Sequence, residues 1–371
     1  MARAYHLARL LRLVRVDYPL LFLLLALALI GVMTLVSSAG GDAELIERQL
    51  VRLLIGFALM FALATVPVHA WRRWVPALYA GGLVLLLLVL FAGEVIKGAQ
   101  RWLDIRLVRF QPSELLKIAT PMLLCALLAG SVAARPGFSR TAIAFVLLAL
   151  PAALILLQPD LGTAFLVAVS GLFVIFLAGL HYRWIVLILA GALGAAPFIW
   201  NALREYQRQR VLVFLDPQSD PLGAGYHIIQ SKIAIGGGGL WGKGWMNGTQ
   251  GHLGFVPERS TDFVFAVFAE EFGFMGVCVL LAVYLGIVVR GMMIAVSAAD
   301  QFSRLLAGSL TFSFAVYVLV NLAMVSGLLP VVGVPLPLLS YGGTSAATLL
   351  ASFGILMAIS TYRPMMRRGI V

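Results

Sequence analysis

The chain has 371 residues, of which 61% are hydrophobic and only 12% charged. A soluble domain of that length cannot cover so much apolar surface, so the composition excludes an ordinary globular protein. The formal charge of +11 is not a nucleic-acid signature, because no basic stripe lies outside the arginine pattern of short loops between apolar runs.

Runs long enough to cross about 30 Å of hydrocarbon recur along the chain. Ten spans are predicted, at 19–37, 51–68, 74–93, 113–133, 141–157, 162–180, 184–202, 263–289, 303–325 and 342–361. Helices satisfy their own backbone inside such spans, so the expected fold is an all-α polytopic bundle, one transmembrane domain over 1–371. Period-2 alternation is absent, which excludes a barrel. Arg3, Arg9, Arg12 and Arg15 precede an apolar run too long for a signal-peptide core, which reads as an uncleaved first span. With the N-terminus in the cytoplasm, Arg72, Arg73, Arg135, Arg140, Arg183, Arg290, Arg304, Arg363, Arg367 and Arg368 also fall inside, and Asp17 and Asp300 are the only inner acids. Ten spans then return the C-terminus to the cytoplasm.

The outer loop 38–50 ends in Arg48 and Arg52, as interface anchors or as substrate contacts. The stretch 94–112 places Arg101, Arg106 and Arg109 outside, interleaved with Trp102, Leu103, Ile105, Leu107 and Phe110, as in a segment lying in the interface. Pro112 breaks it, Ser113 stands where it can cap the fourth span, and Glu114 and Lys117 follow at i, i+3. That pair either ties the bundle together or lines a polar cavity and orients a substrate, and the roles are compatible. Between spans five and six, Asp160 is a helix cap and a second carboxylate on the outer side.

Residues 203–261 form one long external loop, and loops of this length in compact bundles usually carry function. Arg204 and Arg208 share a helical face, and Arg210 follows. Tyr226 to Ile235 reads as a short interfacial helix, Gly236 to Gly239 as a permissive turn without P-loop spacing, and Trp241 and Trp245 as an aromatic belt. The loop ends in PERSTDF, which puts Asp262 where the eighth span leaves the outer surface, as N-cap or as functional carboxylate. Glu270 and Glu271 lie about two turns further in, where ionisable groups are costly and are therefore functional or paired. Pro330, Pro335 and Pro337 interrupt the apolar segment before the tenth span, as in re-entrant backbone lining a cavity, and Ser340 adds to its wall. Cys125 and Cys278 both read as small buried groups, and neither cysteines nor histidines show metal or disulfide spacing.

Four blocks in order, RWLDIRLVRFQPSELLK, QPDLGTA, GGGGLWGKGWMNGTQGHLGFVPERSTDFVFAVFAEEFG and PVVGVPLPLLSYGGTS, resemble the SEDS family (shape, elongation, division and sporulation). The resemblance covers essentially the whole chain, and VPERSTDF resembles the elongation branch more than the division branch. It implies a peptidoglycan glycosyltransferase of the bacterial inner membrane that polymerises lipid II outside the cytoplasm, partnered by a class B penicillin-binding protein, a transpeptidase. It also implies the catalytic role for Asp262. Such a reaction inverts at the anomeric carbon, and needs a base on the acceptor 4-hydroxyl and charge stabilisation at the departing pyrophosphate. Lys117, Arg210, Lys243 and Arg259 are the candidates for the pyrophosphate, with Asp160 and Glu114 orienting cations or sugars. A divalent cation, Mg²⁺ or Mn²⁺, suits the resemblance as a helper, and no organic cofactor is expected. A lipid II flippase and a scaffold without chemistry are the rival readings.

Overall fold

The computed structural model describes residues 16–96, 99–104, 109–130, 136–180, 182–202, 205–220, 223–252 and 258–362. Arg3, Arg9, Arg12, Arg15, Ile105, Arg106, Leu107, Arg135, Arg204, Arg363, Arg367 and Arg368 lie outside the described residues.

In chain order the elements are α1 Tyr18–Ser38, α2 Ala43–Ala64, α3 Val68–Ala92, strands β1 Glu94–Ile96, β2 Ala99–Asp104 and β3 Arg109–Phe110, then α4 Pro112–Leu128, α5 Phe138–Leu157, α6 Leu161–Leu177 and α7 Tyr182–Ala202. The long loop folds into α8 Glu205–Leu215, a 3₁₀ turn Pro217–Ser219, α9 Ala224–Gly237 and the short α10 Thr249–His252. The last three spans are α11 Val264–Ser297, α12 Gln301–Val325 and α13 Thr344–Thr361. A helix thus stands at each of the ten expected spans. Among the described residues six of them (α1, α3, α5, α11, α12 and α13) are long and apolar enough by themselves to cross a membrane.

Helix ends follow local chemistry. Asp42 accepts from Leu45 N at 3.1 Å and Glu44 pairs with Arg48 at i, i+4, so α2 starts at Ala43 rather than 51 and the outer loop shrinks. At α4 the expected cap is corrected. Gln111 holds the N-cap position, Pro112 opens the helix with its preset φ, and Ser113 lies buried inside it. Within the stretch 94–112 the described residues form three short antiparallel strands, order β1-β2-β3, whose backbone pairing hydropathy does not report. Cys125 is buried as expected, but Cys278 is exposed on α11.

Helix α13 packs along α2, α11 along α1 and α12, and α4 lies between α3 and α6. The connection 326–343 is non-helical yet buries Val334, Leu336, Leu338 and Leu339. Two close approaches hold it. A Cβ at Gly31 of α1 would stand 2.2 Å from Leu338 O, and one at Gly162 of α6 would stand 2.8 Å from Val332 O. This irregular backbone is covered by protein, and Tyr284 Oη donates to Pro337 O at 2.8 Å.

Helix α11 is broken at Gly273, whose φ of 64° and ψ of −166° leave the helical region. The glycine-rich loop after α9 is spliced into the break. Lys243 N donates to Glu270 O at 3.0 Å and Gly244 N to Glu271 O at 2.9 Å. In return, Phe274 N donates to Gly239 O at 2.9 Å and Met275 N to Leu240 O at 3.1 Å. Four backbone groups released by the kink are thereby satisfied, and the first two and a half turns of α11 are fastened to the long loop.

Candidate active site

The PERSTDF stretch enters α11 through a tight turn. Glu258 has a φ of 51°, Thr261 N donates to Glu258 O at 3.0 Å, and Thr261 Oγ1 donates to Glu258 Oε2 at 2.9 Å. Phe263, not Asp262, occupies the N-cap position of α11. Phe263 is buried against the His227 ring of α9, with centroids 5.7 Å apart. His227 lies outside the spans, and burial holds its imidazole below the ordinary value against the raising pull of Glu258 and Asp220.

This turn abuts the non-helical connection 326–343. Tyr341 N donates to Ser260 O at 2.7 Å, and Ser38 and Ser260 hydroxyls meet at 3.3 Å. Asn321 of α12 donates through Nδ2 to Asp262 O at 3.0 Å and to Val334 O at 2.7 Å. The half-buried Asp262 carboxylate lies beside Gly333, where a Cβ would come 3.5 Å from Oδ2. Arg52 stands 4.5 Å over the Tyr341 ring, and the Arg259 guanidinium lies next to Gly40. Two cations and a carboxylate thus gather where α1, α2, α11 and the segment before α13 meet.

A second cluster is centred on α4. Asp160 caps α6 by accepting from Thr163 N at 3.2 Å, and it also accepts from Thr163 Oγ1 and Gln111 Nε2, each at 2.9 Å. Arg101 of β2 reaches it at 3.5 Å. The capping role of Asp160 is therefore real, and it anchors the small sheet as well. Lys117 pairs with Glu114 at 2.6 Å, bonds the Tyr317 hydroxyl and lies 4.9 Å from that ring. Glu114, Lys117, Ser313, Tyr317, Ser345 and Thr348 help line a small cavity. A second, smaller cavity, bordered by Pro335, Pro337 and Ser340, shares Tyr317 and Ser345 with it. Tyr317 and Asn321 are one turn, about 6 Å, apart on α12. One helix face thus touches the Lys117 cluster and the Asp262 turn together.

The remaining candidates fall elsewhere. Lys243 bonds Glu270 at 2.6 Å and Thr249 at 2.8 Å, and Glu270, fully buried, also accepts from Thr249 Oγ1 and Gln250 N at 3.0 Å. Its charge is engaged in fastening the long loop to α11. Glu271 accepts from Ser37 of α1. Ser340 is buried, and its Oγ accepts from Leu336 N at 2.7 Å, closing the proline-rich turn. Arg210 lies half-buried on α8, while its neighbour Arg208 donates to Trp200 O and Asn201 O at the end of α7. Asn321, Tyr317 and Gln111 were not singled out from sequence. For Asn321 a signal existed, since a lone amide inside an apolar span needs partners.

The chain belongs to the family described as the cell cycle proteins of the FtsW, RodA and SpoVE group, whose model matches residues 15–365. It is 49% identical over 358 residues to peptidoglycan glycosyltransferase MrdB of Escherichia coli K12, covering 96% of each chain. It is 39% identical to MrdB of Helicobacter pylori J99, covering 87% of this chain and 84% of that one. Among solved structures it is similar to the crystal structure of the rod shape determining protein RodA of Thermus thermophilus, at 32% identity and a TM-score of 0.71, over 93% and 96% of the two chains. A chain from a structure described as a peptidoglycan synthase complex that coordinates polymerization and crosslinking aligns with a TM-score of 0.82 at 37% identity, over 94% and 99%. The protein is a multi-pass membrane protein of this family, similar to its RodA-type members.

Proposed function

We propose that this chain is a peptidoglycan glycosyltransferase of cell-wall elongation that polymerises lipid II into β-1,4 glycan strands, with Asp262 as the base. The names of its relatives support the reaction class. The residue assignment rests on one observation. The turn before α11 presents the half-buried Asp262 carboxylate beside Gly333, and the neighbouring Pro335–Ser340 stretch borders a cavity.

In the reaction the acceptor 4-hydroxyl gives its proton to Asp262 and its oxygen bonds to the donor anomeric carbon. The carbon–oxygen bond to the diphosphate breaks, and the electron pair leaves on the polyprenyl diphosphate. A single in-line displacement inverts the centre. Arg259 offers bidentate contacts to the diphosphate and Lys117 a point charge within the cavity, oriented by Glu114, while Asp160 orients Arg101 beside the same helix. Lys243, paired with buried Glu270, serves the loop instead.

A divalent cation fits this donor set when shared with substrate. Among the described residues no three His, Cys, Asp or Glu side chains stand together to cage an ion, and Mg²⁺ is commonly held by one or two carboxylates plus substrate phosphates. Asp262 would hold it, and the ion would neutralise charge on the diphosphate. The distribution of arginines supports cytoplasmic termini and a site on the opposite side of the inner membrane. The similar chain from a synthase complex supports a class B penicillin-binding protein as partner.

The test is polymerisation of purified lipid II in detergent by the purified chain with its transpeptidase, with and without EDTA. Glycan strands are expected, reduced by EDTA and restored by Mg²⁺. In micelles no transport across a bilayer can contribute, so absence of polymer beside a working control would contradict the reading and favour the flippase.

A further inference from the structure

We propose that Asn321 is the positioning residue for Asp262, holding the turn that carries the carboxylate in register with the non-helical connection beside it. This rests on Asp262 being the base. Asn321 is completely buried on α12. Its Nδ2 bridges Asp262 O at 3.0 Å and Val334 O at 2.7 Å, which are 59 and 13 residues away in sequence. Both neighbours are carbonyl oxygens, so only the amide nitrogen can face them, and this fixes the orientation of the side chain. Its Oδ1 has no hydrogen-bond partner among the described residues. The bonds the side chain makes therefore go to the two walls of the site.

The bridge acts at both ends of the contact that matters. On one side it holds the backbone from which the Asp262 carboxylate hangs. On the other it holds Val334, the residue after Gly333, against which the carboxylate rests. Gly333 has a φ of 72°, a backbone conformation that suits glycine, and so fixes the path of the segment beside Oδ2. Proton transfer needs the base within about 2.6–3.2 Å of the hydroxyl. A displacement of about 1 Å can cost on the order of 100-fold in rate.

The experiment uses the full chain with its transpeptidase and lipid II, and measures kcat, KM and melting temperature. Asn321→Leu is expected to lower kcat by about 30-fold or more with KM held within about threefold. Ser231→Ala is the matched control. Ser231 is also fully buried and donates to Val325 O on the same helix, away from the turn. It should show a comparable fall in melting temperature with kcat near wild type. Asn321→Asp keeps the volume, which preserves the test should the leucine variant fail to fold. Its carboxyl donates only while protonated, so its kcat relative to wild type should fall as pH rises, whereas the ratio for Asn321→Leu stays flat. A folded Asn321→Leu with kcat within about threefold of wild type, or losses that track melting temperature as in Ser231→Ala, would overturn the proposal. Inactive Asp262→Asn beside active Asn321→Leu would refute the positioning role alone. Active Asp262→Asn would refute the base, and this role with it.

Discussion

Asp262 and Glu270 stand eight residues apart at the start of one helix, and the protein treats them differently. Glu270 is fully buried and accepts from Lys243, Thr249 and the Gln250 backbone, all from the long loop. Its charge is consumed in joining that loop to the break at Gly273. Asp262 is half-buried, and the bond from Asn321 holds its backbone carbonyl. An acid deep in a membrane span is thus no evidence of chemistry once a cation and two donors surround it. Fastening the backbone beneath a partly exposed acid is what a working group requires.

Four perturbations sharpen this contrast. The largest expected effect is on the splice. In Gly273→Ala the new Cβ would stand 2.2 Å from Gly242 N, at a φ that suits glycine. A loss of about 3 kcal/mol is expected, read as a lower melting temperature and early proteolysis within 238–250. Next, Glu270→Gln should cost about 2 kcal/mol, discounted from the value for a fully buried pair because the Lys243 side chain is 32% exposed. Turnover per folded molecule should stay within about threefold, since the pair acts on the loop and not on substrate. A folded Glu270→Gln enzyme with turnover as low as Asp262→Asn would erase the distinction. A third, smaller effect is expected from Lys117→Met, which should weaken use of lipid II by about tenfold through the lost charge at the diphosphate. An unchanged kcat/KM would reduce the Glu114–Lys117 pair to bundle packing.

The smallest effect is on pH. Burial depresses His227, so the neutral ring favours the fold. Its contribution is fully present above the ordinary imidazole value and is lost as pH falls from there through the depressed one. His227→Phe should therefore flatten the acid-side decline in melting temperature, while the wild type declines more steeply below about pH 6.5. Equal slopes would separate the Phe263 contact from any titration.

The ten helices were legible because apolar runs of span length announce themselves, and the corrected ends at Ala43 and Pro112 trace to caps and a proline rather than to hydropathy. The buried proline-rich segment was legible too, from prolines in an apolar stretch. The small sheet of β1, β2 and β3 was not, since its short strands carry no period-2 alternation. Partnerships were the least visible. Ser37 meets Glu271 across 234 residues and Asn321 meets Asp262 across 59. Lys243 looked like a phosphate ligand because nothing local revealed Glu270 as its partner. Asp262 itself stood out through its motif, but not through its geometry, which sequence could represent equally well as a cap.

The most direct measurement is turnover of lipid II by Asp262→Asn, purified with its transpeptidase and compared with wild type at equal folded concentration. The account predicts a loss of at least about 100-fold with the melting temperature unchanged, because asparagine keeps the volume and polarity but accepts no proton. Near wild-type turnover in the folded variant would contradict it and move the search for the base to Asp160 and Glu114.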